Sequence, residues 1–168
     1  MSLWQKIRNR IMSIQVENLT KTYGLQKAVD NISFEINTGE IVGFLGPNAA
    51  GKTTTMRMIT CYMAPTSGTI RLDGFTTAKN SEEIKRKIGY LPENNPLYEE
   101  MAIIDYLRFV AKIQGVEKSS IPGKIKEMVD ICDLAPEIHK KIGVLSKGFR
   151  QRVGLAQAMI HDPEVLIL

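Results

Sequence analysis

The sequence predicts an α/β fold, with a mixed β-sheet and helices arranged around a phosphate-binding loop, and three observations carry that reading. The apolar run Ile41-Val42-Gly43-Phe44-Leu45 leads into Gly46-Pro47-Asn48-Ala49-Ala50-Gly51-Lys52-Thr53, which fits G-x-x-x-x-G-K-[ST], and a helical pattern follows from Thr54 to Met63. Two segments of apolar and polar alternation precede that stretch, as half-buried strands require. Beyond Pro92 the apolar residues recur at helical spacing, so strands give way to helices.

Residues 1–12 form an N-terminal extension. Leu3, Trp4, Ile7 and Ile11 stand at helical spacing against Lys6, Arg8 and Arg10, the pattern of a basic amphipathic helix on a membrane surface. Met12-Ser13-Ile14 reads equally as a natural start, which makes the first residues an upstream extension of the reading frame. From there Ile14, Val16 and Leu19 alternate with Gln15, Glu17 and Thr20, and Ile32, Phe34 and Ile36 with Ser33, Glu35 and Asn37; both read as strands. Lys21-Thr22-Tyr23-Gly24 is the turn between them, and its aromatic is a candidate platform for a flat ring.

The central run of residues 41–45 reads as a doubly covered parallel strand. A loop that wraps a phosphate turns its backbone N–H groups inward, and glycine permits the conformations this needs. The positive end of the following helix, with Met56, Ile59 and Met63 on its apolar face, points at the same place. Gly46, Pro47, Asn48, Ala49, Ala50, Gly51, Lys52, Thr53 and Thr54 therefore form the candidate cradle. Lys52 reaches the β- and γ-phosphates of a nucleotide, and the Thr53 hydroxyl joins the Mg²⁺ shell.

Pro65-Thr66-Ser67-Gly68 is turn chemistry, Thr69 to Leu72 a strand closed by Asp73-Gly74, and Ser81 to Lys87 a polar helix. Ile88-Gly89-Tyr90-Leu91 reads as a core strand, followed by the irregular Glu93-Asn94-Asn95-Pro96. Ala102 to Gln114 shows only a narrow polar stripe of Asp105, Arg108 and Lys112, so most of its circumference is expected to be buried. Ile121, Ile125, Met128, Val129 and Cys132 mark a second amphipathic helix. Ser146 is placed to cap a third, which carries Val153, Ala156 and Met159. Val165 to Leu168 read as a buried strand.

At 168 residues and 43% hydrophobic content the chain suits one globular domain, and no apolar run approaches the roughly 20 residues of a membrane span. Cys61 and Cys132 have no metal-type spacing and read as reduced thiols. The net charge of +4 owes three of its charges to Lys6, Arg8 and Arg10, while elsewhere opposite charges interleave as in Glu82-Glu83-Ile84-Lys85-Arg86-Lys87. Nucleic acid is not indicated as a partner.

Taken together, residues 13 to 168 resemble the ATP-binding subunit of ABC transporters, most closely an exporter subfamily that includes gliding-motility-associated ATP-binding proteins. Tyr23 stands where that family stacks adenine, residues 46–53 at its Walker A loop and Glu93 at its Q-loop position. Leu145 to Phe149 fall on its signature motif, and Val165 to Leu168 on the strand leading to Walker B. The resemblance implies a P-loop NTPase (RecA-like) core in residues 13–92, a Q-loop and helical subdomain in residues 93–147, and the signature helix with the Walker B strand in residues 148–168. It also implies ATP and Mg²⁺ as ligands, with Lys52, Glu93, Ser146 and Gly148 in the catalytic set and Thr53 and Glu93 on the metal. Two such domains, expected as a homodimer, bind head to tail, so that Ser146 and Gly148 of one act on the γ-phosphate held by the other. The helical subdomain faces an integral membrane permease, which places the protein in the cytoplasm, peripheral on the inner face of the membrane.

The chain departs from the family pattern at four points. Ala49 stands where the pattern has a glycine, and a non-glycine held at positive φ costs about 1 to 2 kcal/mol, roughly tenfold in ATP affinity if the strain arises on binding. Glu93 replaces the usual glutamine, and Lys147 replaces a glycine of the signature. The chain stops one residue before the Walker B aspartate is expected, so the fold is read as C-terminally incomplete. Without a general base, which typically contributes about 10² to 10⁴ in rate, these residues alone are expected to hydrolyse ATP negligibly. A non-catalytic nucleotide-binding module is the competing reading.

Overall fold

The computed structural model describes residues 14–168, so the expected amphipathic helix of residues 1–11 lies outside the described residues. The chain divides into two compact units, one ending at Lys85 and the other running Arg86–Leu168.

In the first unit β1 (Ile14–Tyr23) and β2 (Gln26–Ile36) form an antiparallel hairpin. β3 (Ser67–Leu72) pairs with the other edge of β1, and β4 (Phe75–Thr76) completes a sheet of order β2-β1-β3-β4. Ile14, Val16, Leu19, Val29, Ile70 and Leu72 are buried on this sheet, as are Met58 and Ile59 of α1 (Lys52–Ile59). The irregular spacing of Ile14, Val16 and Leu19 has a structural cause. β1 slips register between Val16 and Leu19, where Asn18 takes φ 50°. Gly68 is seated against that bulge; a Cβ there would lie 2.4 Å from Asn18 O.

Four expectations for this unit are corrected. Tyr23 is the last residue of β1 and not part of the turn, which falls on Gly24 and Leu25. Asp73 (φ 51°) and Gly74 (φ 79°) form the two-residue loop of a hairpin, both at the positive φ of a type I′ turn, and lead into the unforeseen β4. Residues 41–45 are not a strand: they join no ladder among the described residues, and Ile41 and Leu45 are exposed. An apolar run becomes a strand only where neighbours hydrogen-bond to it, and here Phe44 meets β2 through a ring contact with Phe34 at 5.7 Å. The helix of this region starts two residues earlier and stops four residues earlier than expected, burying Thr55, Met58 and Ile59 in place of Met56, Ile59 and Met63. Its stop is a Schellman turn: Cys61 takes φ 59°, Cys61 N–H donates to Met58 O at 3.2 Å and Tyr62 N–H to Arg57 O at 2.8 Å. The absence of glycine at that position hides the stop from the sequence.

A short helix, α2 (Ser81–Lys87), leads to β5 (Ile88–Tyr90) as expected. In the second unit β5 pairs in parallel with β6 (Val165–Ile167). Helices α3 (Ile103–Ile113), α4 (Ile121–Ile131) and α5 (Lys147–Met159) enclose a core that includes Ile103, Leu107, Leu134, Ile142, Val153 and Ile160. Gly89 lets β5 approach the end of α5; a Cβ there would lie 2.1 Å from Ala158 O. Two burial expectations are corrected. Phe109 and Ile113 widen the exposed face of α3 beyond its charged stripe, and Leu166 and Leu168 are exposed. Apolar character alone does not say which face of an element meets a neighbour.

Candidate functional site

The phosphate loop belongs wholly to the first unit, and its shape is set from both ends. At one end Gly51, at φ 86°, is the N-cap of α1 and rests on β2: a Cβ there would lie 2.2 Å from Ala28 O and 3.0 Å from Val29 Cγ2. At the other, Ala50 N–H donates to Pro47 O at 3.2 Å and closes the turn 47–50. Between them Ala49 holds φ 65°, in the left-handed region that favours glycine.

The electrostatics of this loop suit an anion. The first intrahelical bond of α1 runs from Thr55 N–H to Gly51 O at 2.8 Å, so the N–H groups of Lys52, Thr53 and Thr54 precede the helical ladder and are available at its positive end. No acidic residue stands in the first turn. The Lys52 ammonium arches back over the loop, with Nζ 2.7 Å from Gly46 O and 2.7 Å from Pro47 O. Thr53 is exposed, while Thr55 is buried with its hydroxyl donating to Gly51 O at 3.0 Å.

Tyr23 stands on the hairpin that also supports the loop. It pairs with Gln26 in the register of β1 and β2, and Gly51 rests on Ala28 two residues further along β2. The Tyr23 ring is half exposed, and its hydroxyl donates to Met63 Sδ at 3.4 Å. Met63, which flanks this ring, carries no local sequence signal, since only tertiary contact relates it to Tyr23, whereas Lys21 stands two residues back on the same strand.

The remaining candidates lie in the second unit. Glu93 is exposed in the irregular segment after β5. Ser146 caps α5 as expected, its Oγ accepting from Phe149 N–H at 3.3 Å, and Gly148 is exposed one residue into the helix. Asn95, two residues past Glu93, packs on α5 so closely that a Cβ at Gly154 would lie 1.8 Å from its Nδ2. Among the described residues no cluster of three or more His, Cys, Asp or Glu side chains is arranged to hold a metal ion. Cys61 and Cys132 are free thiols, and burial raises the pKa of each.

Comparison with known proteins places this geometry. The family model described as ABC transporter matches residues 29–168. The chain belongs to the ABC transporter ATP-binding proteins. The bacitracin transport ATP-binding protein BcrA of Bacillus licheniformis is 43% identical over 155 residues, which are 92% of this chain and 50% of that protein. The uncharacterized ABC transporter ATP-binding protein YxlF of Bacillus subtilis (strain 168) is also 43% identical, over 92% of this chain and 51% of its own length. The chain thus spans about half the length of these relatives. A solved ATP binding subunit of an ABC transporter superposes with TM-score 0.83 at 28% identity, covering 92% of this chain and 65% of that one. A dimeric, post-hydrolysis ATP-binding cassette, MJ0796 bound to ADP and Pi, gives TM-score 0.82 at 25% identity, covering 92% and 72%. The α/β cassette fold expected from the motifs is therefore the fold of this chain.

Proposed function

We propose that this ABC chain binds Mg-ATP through residues 46–54, with Tyr23 stacked on the adenine, and in the full-length form serves as the ATP-hydrolysing subunit of an exporter. The observation that carries the reading is the loop itself: the backbone N–H groups of Lys52, Thr53 and Thr54 ahead of the helical ladder of α1, no carboxylate in the first turn, and the Lys52 ammonium folded over the loop. A bound triphosphate takes the place of the Gly46 and Pro47 carbonyls as partner of Lys52.

The residues present fit a magnesium ion shared with phosphates, because the exposed Thr53 hydroxyl offers one oxygen and Mg²⁺ keeps most of its shell as phosphate oxygens and water. Such an ion supplies charge neutralisation at the β- and γ-phosphates. Hydrolysis is completed across a head-to-tail homodimer, in which Ser146 Oγ and the Gly148 amide of a second copy face the γ-phosphate and hold it in line for water. The dimeric cassette among the structural relatives supports that arrangement. A membrane permease is the second partner and holds the protein at the inner face of the membrane; the transport role named for the Bacillus licheniformis relative supports this. Among the described residues no helix is long and apolar enough to cross a membrane.

The test is isothermal titration of the protein with Mg-ATP beside a Lys52→Ala variant. Saturable uptake that the variant loses supports the proposal, and uptake by neither protein overturns it.

A further inference from the structure

Tyr23 is 51% exposed. Lys21 Nζ stands over the ring, 5.5 Å from its centroid, on the same side of β1 two residues back. That ammonium is itself fixed, donating to Ala64 O at 2.7 Å. The phenol is held in turn by Met63 Sδ at 3.4 Å. Residues 63–66 are stitched to the end of β1 by Thr66 N–H to Thr20 O at 2.9 Å and Thr22 N–H to Thr66 Oγ1 at 3.0 Å. A surface tyrosine with none of these ties samples several rotamers, and a ligand that stacks on it must order it.

We propose that Lys21 is a positioning residue for nucleobase recognition: clamped between the Tyr23 ring and the Ala64 carbonyl, it covers one face of the ring and presents the other, already oriented, to a purine. This rests on the nucleotide reading of the loop and adds to it a residue that touches neither base nor phosphate. The attraction of the ammonium for the ring face orients the aromatic, and the carbonyl keeps the cation from following a bound phosphate instead. Loss of the cation therefore weakens only the base-dependent part of binding.

The experiment titrates the protein with Mg-ATP and, separately, with magnesium tripolyphosphate, which has no base. Lys21→Met is expected to weaken ATP by about two- to fivefold, the range for one exposed cation–ring contact, and to leave tripolyphosphate unchanged. Lys21→Arg, which keeps a cation over the ring, retains the wild-type ATP affinity. In a Tyr23→Ala background Lys21→Met has no further effect. Met63→Leu removes the acceptor of the phenol, keeps its bulk, and shows the same selectivity for ATP if Lys21→Met fails to fold. An equal loss for both ligands, or none for ATP, overturns the inference while the nucleotide reading stands. Uptake of neither ligand by the unmodified protein overturns both.

Discussion

Lys52 Nζ lies 2.7 Å from the carbonyl oxygen of Gly46, six residues back along the chain. Together with Pro47 O it gives the ammonium two acceptors, so Lys52 is held over the loop by the chain's own carbonyls. A hydrogen bond to a charged partner contributes about 1.5 to 3 kcal/mol, and Lys52→Ala is accordingly expected to weaken Mg-ATP by about 10- to 150-fold in calorimetry. Fold stability, followed by urea denaturation, should change little, because the lost bonds are exposed. Lys52→Arg should not restore affinity, since a planar fork cannot replace a compact point charge above a narrow loop.

Ala49 holds φ 65° in the folded loop. Strain carried by the fold is a cost to folding, and it reaches nucleotide binding only where the ligand changes the backbone at that residue. Ala49→Gly releases about 1 to 2 kcal/mol of left-handed strain and returns about 0.4 to 1 kcal/mol as unfolded-state entropy. The expected outcome is a chain about 0.5 to 1 kcal/mol more stable by chemical denaturation, with ATP affinity altered by less than about threefold. A tenfold gain in affinity at unchanged stability would show that the strain is imposed by the ligand.

Two other glycines are expected to tolerate nothing larger. Gly51→Ala adds a Cβ 2.2 Å from Ala28 O at φ 86° and should cost about 2 to 4 kcal/mol, with loss of ATP binding. Gly89→Ala meets Ala158 O at 2.1 Å and should cost about 1 to 3 kcal/mol. Gly115, at φ 78° with open space around its Cβ direction, is the control: Gly115→Ala should show only the backbone strain less the unfolded-state entropy gain, a net cost of about 0.5 to 1 kcal/mol. Thermal or urea unfolding of the three variants ranks them.

His161 follows the end of α5, with both ring nitrogens buried and no hydrogen-bond partner among the described residues. Burial lowers its pKa from 6.5, partly offset by the Ile88 backbone and the Asp162 charge. The Ile88 backbone is near enough to favour the cation without completing a bond of good geometry. With the folded pKa below the unfolded one, the unfolded chain takes up the proton first as pH falls. Stability should therefore hold above pH 6.5 and decline from there down to the depressed folded pKa, at no more than about 1.4 kcal/mol per pH unit. Unfolding midpoints between pH 5 and pH 8, compared with His161→Leu, check this; the variant should lose that slope.

How much of this was legible from the residues depends on what each signal measures. The G-x-x-x-x-G-K-T string, the Ser146 cap and the helices around Leu107 and Met128 are local, and local propensity and periodicity sufficed for them. Residues 41–45 were misread because β-structure is a property of pairs, and an apolar run does not reveal whether a neighbour bonds to it. The end of α1 was missed because Cys61 does the work that glycine usually does. The contact of Met63 with the Tyr23 hydroxyl joins residues 40 positions apart, and only a folded chain brings them together.

The contact of Gly51 with the Ala28 carbonyl has a mechanical corollary. The hairpin that ends in Tyr23 and the turn capped by Gly51 share one foundation, so the spacing between them is fixed by a β-ladder. On the nucleotide reading, base and triphosphate would meet one rigid block of chain and not two parts that must first come together.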